Sequence, residues 1–257
     1  MVESKTHETL VEGQFGGRAA AYLGSAVHAK GADLDALIVL VHGLPEARVL
    51  DLGCGAGHVA FAAAPYVHEV VAYDLSAGML ETVARAATER RLGNVRTERG
   101  AAERLPFADA NFDAVLSRYS AHHWRDLDAG LREAARVLRP GGLFAVVDAV
   151  SPGIPLLDTH LQAVEVLRDP SHVHDYSRAE WEAALVRAGL AVEGTAAFRV
   201  RLEFAVWTER MQTPKSQADA IRALQETASA EVERHFAIGP DGSFDLDVAL
   251  FRASRPA

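Results

Sequence analysis

An apolar run enters a glycine-dense turn at Val49-Leu50-Asp51-Leu52-Gly53-Cys54-Gly55-Ala56-Gly57-His58. A second apolar run follows and ends on a carboxylate, at Val70-Val71-Ala72-Tyr73-Asp74. A strand, a glycine turn, a helix and a second strand closing on an acid are the order in which a doubly wound α/β sheet holds a nucleoside. The two stretches therefore predict a Rossmann-like sheet and an enzyme with an adenosine-containing cofactor.

The spacing of the glycines distinguishes two kinds of nucleoside site. Dinucleotide-binding folds place glycines at the first, third and sixth positions of this turn, where a pyrophosphate approaches the backbone at a helix N-terminus. Here the glycines are Gly53, Gly55 and Gly57, and His58 occupies the sixth position. The pattern disfavours a pyrophosphate, so a nicotinamide-dependent oxidoreductase is the weaker alternative.

Four further sequence blocks follow Asp74 in order. They are LSAGML at residues 75–80, GAAERLPF at 100–107, FDAVLSRYSAHHW at 112–124 and LRPGG at 138–142. Together with the pattern Asp51-x-Gly53-x-Gly55-x-Gly57, these blocks resemble the motifs of class I S-adenosylmethionine (SAM) methyltransferases of the ubiquinone/menaquinone-biosynthesis group. The resemblance is strongest over residues 15–124, and the wider sequence is most similar to the YafE-type branch of that group. It implies SAM as the cofactor.

The apolar spacing predicts the remaining elements. Helices are expected over residues 32–42 and 127–138, and the capping-box pattern Ser177-x-x-Glu180 opens another helix that closes at Gly189. Strands are expected over residues 143–148, 190–204 and 245–252, and residues 216–236 are expected to be largely helical. The family resemblance implies an α/β, Rossmann-like, doubly wound sheet of seven strands whose last strand runs antiparallel.

These expectations divide a single domain, residues 1–257, into segments. An N-terminal helical segment covers residues 1–45, and a SAM-binding core covers 46–150. Cap insertions cover 151–176 and 205–242, and the rest of the core covers 177–204 and 243–257. If the strand before each insertion is parallel to its neighbours, both insertions begin at the carboxyl edge of the sheet, where such folds bind ligands. Together with residues 14–28, they form a candidate cap.

The cofactor residues are assigned by position within the matching motifs. Asp74 is placed to accept hydrogen bonds from both ribose hydroxyls. Ala101 stands where the family commonly has Asp, so Ala102 offers only its backbone to the adenine, and compensation by Glu103 is left open. Two residues of the N-terminal segment, Gln14 and Arg18, are expected to close over the cofactor carboxylate with Tyr22. The full set of expected cofactor residues is Tyr22, Asp51, Gly53, Gly55, Gly57, Asp74, Leu75, Met79, Ala101, Ala102, Glu103, Ser117 and Arg118.

Methyl transfer from a sulfonium needs an acceptor held in line and, when the acceptor carries a proton, a base. His122 and His123 follow the fourth strand, where such a base would stand, and His122 is the preferred candidate. The alternative for either histidine is a packing or hydrogen-bonding role.

The cap carries the candidate acceptor residues, which are His160, His172, His174, Tyr176, Trp207 and Arg210. Trp207 and Arg210 lie one helical turn apart, which suits an aromatic, anionic or carbonyl-bearing acceptor. Core packing of Trp207 and a solvated Arg210 is the favoured alternative. The pair His172-Val173-His174 has no third ligand at helical spacing, so no metal site is expected.

Composition narrows the classes of partner. The chain of 257 residues has a formal net charge of −9 and no cluster of Lys and Arg, which argues against nucleic acid. No long apolar tract or secretory signal is apparent, so a cytoplasmic protein without membrane contact is expected. A small-molecule acceptor and a monomer or homodimer are the simplest expectations. A SAM-binding protein with non-methylating chemistry remains an alternative.

Overall fold

The computed structural model describes residues 6–23 and 30–257. The remaining parts of the predicted N-terminal segment, residues 1–5 and 24–29, lie outside the described residues. The described part contains helices α1 (His7–Phe15), α2 (Ala19–Leu23) and α3 (Ala32–Val39). Helix α3 ends earlier than the predicted residue 42, because residues 40–42 donate to carbonyls three residues back and tighten the last turn.

The described residues form one sheet of seven strands. The strands are β1 (Arg48–Leu52), β2 (Glu69–Asp74), β3 (Val95–Arg99), β4 (Phe112–Arg118), β5 (Leu138–Ala149), β6 (Ala191–Leu202) and β7 (Phe244–Ser254). Their order across the sheet is β3-β2-β1-β4-β5-β7-β6. Strand β7 is antiparallel to β5 and to β6, and the other pairings are parallel. The predicted Rossmann-like sheet with an antiparallel last strand is confirmed.

Helices cover both faces of this sheet, because alternate strand residues point to opposite sides. Val49 and Ala114 are buried on the side of α3, α4 (His58–Ala63) and α5 (Ala77–Glu89). Leu50 and Val115 are buried on the side of α6 (Leu127–Val137) and α8 (Arg178–Arg187). The glycine turn follows β1 and the two histidines follow β4, so both lie at the carboxyl edge of the parallel strands.

Four helices lie in the two insertions. They are α7 (Pro155–Arg168), α9 (Phe204–Met211), α10 (Lys215–Glu226) and α11 (Ala230–Phe236). Their apolar faces pack with the ends of β5, β6 and β7 in one cluster, which we call the cap core. It includes Leu161, Trp207, Ile221, Val232 and Phe236. Strands β5 and β6 run in the same direction, since both are antiparallel to β7, so both insertions begin at the carboxyl edge.

Residues 216–236 are largely helical, as predicted, with one interruption. The chain leaves the helix at Thr227, whose hydroxyl donates back to the carbonyl of Ala223, and α11 begins after Ser229. The break lets Ile221 and Val232 face the same cap core from two directions. Within the described ranges, no helix is long and apolar enough to cross a membrane.

Candidate active site

The glycine turn after β1 adopts a backbone that side chains disfavour. Gly53, Gly55 and Gly57 have φ of +71°, +50° and +87°. A Cβ on Gly53 would lie 1.8 Å from the hydroxyl oxygen of Ser120, and one on Gly57 would lie 2.8 Å from the ring of Phe61. A Cβ on Gly55 would meet no described atom within 4 Å. Gly53 and Gly57 therefore pack against the protein, whereas Gly55 faces open space.

Two acids, the buried Asp51 and the partly exposed Asp74, fix the ends of the turn. Asp51 accepts a hydrogen bond from the backbone N–H of Ala60 at 2.9 Å. Asp74 accepts from the N–H groups of Gly55 and Ser76, each at 2.8 Å. Burial raises the pKa of Asp51 to about 7, against the opposing effect of the Ala60 hydrogen bond. Burial also raises the pKa of Asp74, while its two backbone hydrogen bonds lower it. Asp74 thereby joins the glycine turn to the end of β2.

A cavity of about 140 Å³ opens at these strand ends, and we call it the first cavity. Its walls bring together eleven of the expected cofactor residues, which are Tyr22, Asp51, Gly53, Gly55, Asp74, Leu75, Met79, Ala101, Ala102, Glu103 and Arg118. The other two, Gly57 and Ser117, do not line it. Gly57 is turned towards α5, and the side chain of Ser117 is fully buried in the sheet.

Several residues that line the first cavity were not predicted from the sequence. Helix α1 contributes His7, Glu8, Val11 and Phe15, although its amphipathic pattern is weak and it buries no residue. Arg118 is held by a nearly buried ion pair with Asp33 at 2.7 Å, and the two residues are 85 positions apart. No local pattern could have paired them.

Gln14 and Arg18 do not line the first cavity. The Gln14 side chain donates to Asp169 Oδ1 at 3.1 Å, and Arg18 donates to the backbone carbonyl of Gln14. The N-terminal helices are thus joined to the end of α7. This contact lies beside a second cavity.

The second cavity, of about 90 Å³, lies between the sheet and the cap helices. Its lining combines apolar and aromatic side chains with charged groups. Its lining comprises Phe15, Tyr22, Tyr119, His122, His123, Ala149, Glu165, Arg168, Asp169, Asp175, Val200, Leu202, Trp207, Arg210, Leu246 and Val248. Four of these residues, Phe15, Tyr22, Tyr119 and His123, also line the first cavity. The two cavities therefore meet at these four side chains.

His122 is held against the end of β5. Its Nδ1 lies 2.6 Å from Asp148 Oδ1, and its backbone N–H donates to Asp148 Oδ2 at 3.2 Å. Burial opposes protonation, but the charge and hydrogen bond of Asp148, with Asp175 and Glu165 nearby, raise the pKa of His122 to about 9. At neutral pH this ring is an imidazolium.

His123 has the opposite character. Its Nδ1 lies 3.1 Å from the backbone carbonyl of Ser171, and its Nε2 lies 3.9 Å from Asp169 Oδ2. Burial and the neighbouring charge of His122 lower the pKa of His123 below its ordinary value, against the effect of Asp169. At neutral pH this ring is a neutral imidazole. Its position at both cavities makes it a candidate proton acceptor.

The structure separates the cap candidates into two groups. Trp207 and Arg210 line the second cavity, whereas His160, His172, His174 and Tyr176 line neither cavity. Trp207 is buried in the cap, and Arg210 is partly exposed rather than fully solvated. The guanidinium carbon of Arg210 lies 5.9 Å from the centre of the Tyr22 ring.

The remaining four candidates have partners elsewhere. His160 packs against Phe236, and Tyr176 packs against Trp181. His172 Nε2 pairs with the Gln162 carbonyl oxygen at 2.8 Å, and His174 lies 3.7 Å from Glu180. In the part of the chain that the structure describes, no group of three His, Cys, Asp or Glu side chains is arranged to hold a metal.

Sequence and structure comparisons identify the family. A family model described as a methyltransferase domain matches residues 50–146. YafE of Escherichia coli is 49% identical over 205 residues, which cover 80% of this chain and 99% of YafE. The methyltransferase YcgJ of Bacillus subtilis is 38% identical over 227 residues, which cover 88% of this chain and 90% of YcgJ. This chain belongs to the class I SAM-dependent methyltransferases of the YafE type.

Solved structures agree with this assignment. The crystal structure of YcgJ matches with a TM-score of 0.84 and 36% identity, over 88% of this chain and 98% of that chain. BH2331 of Bacillus halodurans has the same TM-score of 0.84 at 31% identity, over 88% of this chain and 100% of that chain. The predicted enzyme class and its cofactor, SAM, are confirmed, and they replace the nicotinamide alternative.

Proposed function

We propose that this enzyme transfers the methyl group of SAM to a small, ring-containing acceptor that binds in the second cavity. The observation that carries the proposal is the junction at which both cavities share Phe15, Tyr22, Tyr119 and His123. A donor in one cavity and an acceptor in the other would face each other across these side chains. Such proximity and alignment are the main requirement of methyl transfer.

The first cavity fits the cofactor by the chemistry of its walls. Gly55 leaves space for a ligand against the backbone, and Asp74 presents a carboxylate suited to paired ribose hydroxyls. Leu75 and Met79 offer an apolar surface for adenine. Glu103, two positions after Ala101, also lines the cavity and offers a carboxylate. When bound, SAM supplies a methyl group on a positively charged sulfur. The residues of α1 cover the cavity and limit access of water.

The second cavity suits a ring by shape and composition. Phe15 and Trp207 offer aromatic faces, and Leu246 and Val248 continue the apolar wall. A relative named demethylmenaquinone methyltransferase, from Chlorobaculum parvum, is 33% identical over 118 residues, which cover 46% of this chain and 47% of that protein. Its name supports a ring as the acceptor class.

Within this proposal, His123 replaces His122 as the preferred base. His122 is protonated at neutral pH and pairs with Asp148 at 2.6 Å, so it has no lone pair to accept a proton. His123 is neutral and lines both cavities. A base must lie within hydrogen-bond reach of the acceptor proton, and His123 meets this condition for an acceptor at the junction.

The experiment that tests the proposal measures S-adenosylhomocysteine (SAH) release by mass spectrometry. The protein is incubated with SAM and a panel of phenols, enols and quinones, and the methylated product is identified. Methylation of at least one ring compound, at a rate above that of the protein without acceptor, supports the proposal. SAH binding without turnover on any of them would favour a non-methylating SAM protein instead.

A separate variant tests the proposed contact between Asp74 and the cofactor ribose. Asp74→Ala removes a carboxylate that would accept two hydroxyl hydrogen bonds of about 1.5–3 kcal/mol each, so SAH affinity should fall by about a hundredfold or more. Calorimetric titration with SAH measures the loss. Asp35→Ala, which removes an exposed carboxylate on α3, is the control and should bind normally. Unchanged affinity in Asp74→Ala would contradict the ribose role.

A further inference from the structure

Asp169 lies directly after α7 and uses only one of its carboxylate oxygens. Oδ1 accepts from the N–H of Ser171 at 2.8 Å, from the Ser171 hydroxyl at 2.6 Å and from Gln14 at 3.1 Å. Oδ2 is buried and has no hydrogen-bond partner among residues 6–23 and 30–257. The residue is 1% exposed and lines the second cavity. A buried carboxylate oxygen without a donor is costly, which indicates that a ligand supplies one.

Ser171 also orients the histidine that faces this oxygen. A backbone carbonyl can only accept, so the contact of Ser171 O with His123 Nδ1 places the ring hydrogen on Nδ1. The lone pair is then on Nε2, which lies 3.9 Å from Asp169 Oδ2. One residue thus fixes both the carboxylate, through its N–H and hydroxyl, and the imidazole, through its carbonyl.

We propose that His123 and Asp169 form a proton-accepting pair for an acceptor that carries an O–H group, a phenol or an enol. This inference rests on the proposed function and specifies its acceptor class. The acceptor O–H bond breaks and the proton forms an N–H bond at His123 Nε2. The electron pair stays on the oxygen, which bonds to the methyl carbon as the C–S pair returns to sulfur. Asp169 is the positioning residue, because its charge stabilises the imidazolium formed beside it.

The His123–Asp169 pair favours an acceptor that carries a hydroxyl over one that presents a quinone carbonyl or a ring carbon. An O–H at the junction can donate to Nε2 or to Oδ2, whereas a quinone carbonyl or a ring carbon presents no strong donor. An acceptor without a donor would leave the Asp169 oxygen buried and unpaired. Sites built around a hydroxyl reject analogues that lack it, because the buried polar groups are then unsatisfied.

Two probes of nearly equal shape test this inference. 4-Nitrophenol carries the hydroxyl, and 4-nitroanisole is its methyl ether. Each is titrated into the SAH-bound protein, one pH unit below the pKa of free 4-nitrophenol, and its absorption spectrum is recorded. The wild-type protein should bind 4-nitrophenol at least about tenfold more tightly than 4-nitroanisole. The bound probe should keep the absorption of the neutral phenol, because the lowered pKa of His123 leaves the proton on the oxygen until the methyl group is transferred.

Asp169→Asn keeps the shape of the side chain and removes its charge, so the preference for 4-nitrophenol should be lost. Asp241→Asn is the matched control, because Asp241 accepts from the N–H and hydroxyl of Ser243 in the same local arrangement but is exposed. This control should behave like the wild-type protein.

The outcomes separate this inference from the proposed function. Equal binding of both probes by the wild-type protein, or a preference for 4-nitrophenol that survives Asp169→Asn, would overturn the proton-accepting pair. If SAH still binds and a ring compound without a hydroxyl is methylated, the proposed function stands without it. SAH titration of each variant, with its melting temperature, shows that the variant is folded.

Discussion

At the residue scale, Gly55 combines a left-handed backbone with an empty space beside it. Its φ is +50°, and a Cβ there would meet no described atom within 4 Å. Gly141, at the other end of the molecule in β5, has the same two properties with φ of +74°. The two glycines therefore allow backbone strain to be separated from ligand contact.

Gly55→Ala and Gly141→Ala should each lower the free energy of unfolding by about 1 kcal/mol, because L residues disfavour this backbone region. Only Gly55→Ala should weaken SAH binding, since its new methyl group points into the proposed cofactor site. Urea unfolding and SAH calorimetry measure the two effects. Equal SAH affinity in both variants would contradict contact between Gly55 and the cofactor.

His122 makes stability depend on pH. Its pKa of about 9 in the folded protein lies above its ordinary value of 6.5, so folding favours the protonated ring. This contribution is complete below pH 6.5 and is lost as the pH rises through 9. Between these limits the wild-type protein should lose about 3 kcal/mol more stability than His122→Gln. Urea unfolding at both pH values measures the difference, and parallel losses would contradict the His122–Asp148 pair.

At the element scale, α8 begins with a complete capping box. The Ser177 hydroxyl accepts from the N–H of Glu180, and the Glu180 carboxylate accepts from the N–H of Ser177. The helix buries Trp181, Ala184 and Leu185 against the sheet, next to the strand that follows it. The local sequence signal and the tertiary packing agree here, which is why this helix start was predicted correctly.

Ser177→Ala should cost about 1 kcal/mol of unfolding free energy, because it leaves a helical N–H without its partner. Ser216→Ala, at an exposed position in the first turn of α10, should change stability by less than about 0.5 kcal/mol. Urea midpoints at constant m-value measure both. A cost for Ser216→Ala equal to that for Ser177→Ala would show that the cap contributes nothing specific.

At the scale of the whole molecule, three separate segments converge on the carboxyl edge of the sheet. The insertions after β5 and β6 pack together over one end, and the N-terminal helices cover the first cavity. Helix α1 buries no residue of its own, so its contribution to the stability of the sheet is small. Its position at both cavities indicates a role in binding.

Removal of residues 1–29 should therefore leave the sheet folded but weaken SAH binding by about tenfold or more. The reason is that the first cavity loses the wall formed by His7, Glu8, Val11, Phe15 and Tyr22. Circular dichroism follows folding, and calorimetry follows binding. Full SAH affinity in the shortened chain would contradict a covering role for α1.

Much of the fold could be predicted because its signals are local. The glycine turn, the alternation of buried strand residues and the capping box each depend on neighbours within a few positions. The helix break at residues 227–229 could not be predicted, because apolar residues recur at helical spacing on both sides of it. These residues are Ala220, Ile221, Leu224, Ala228 and Val232.

The sequence by itself determined the class of enzyme and its cofactor, since these depend on a short motif between adjacent strands. Gly55 and Asp74 in that motif are the proposed cofactor contacts. Only the tertiary structure brought Asp169 to His123, 46 positions away in the chain. It alone made His123, in place of His122, the proposed base. The reason is that the pKa values of the two histidines depend on burial and on charges supplied by distant segments. Whether a histidine can accept a proton depends on the groups around it in the folded protein, and no local sequence pattern specifies those groups.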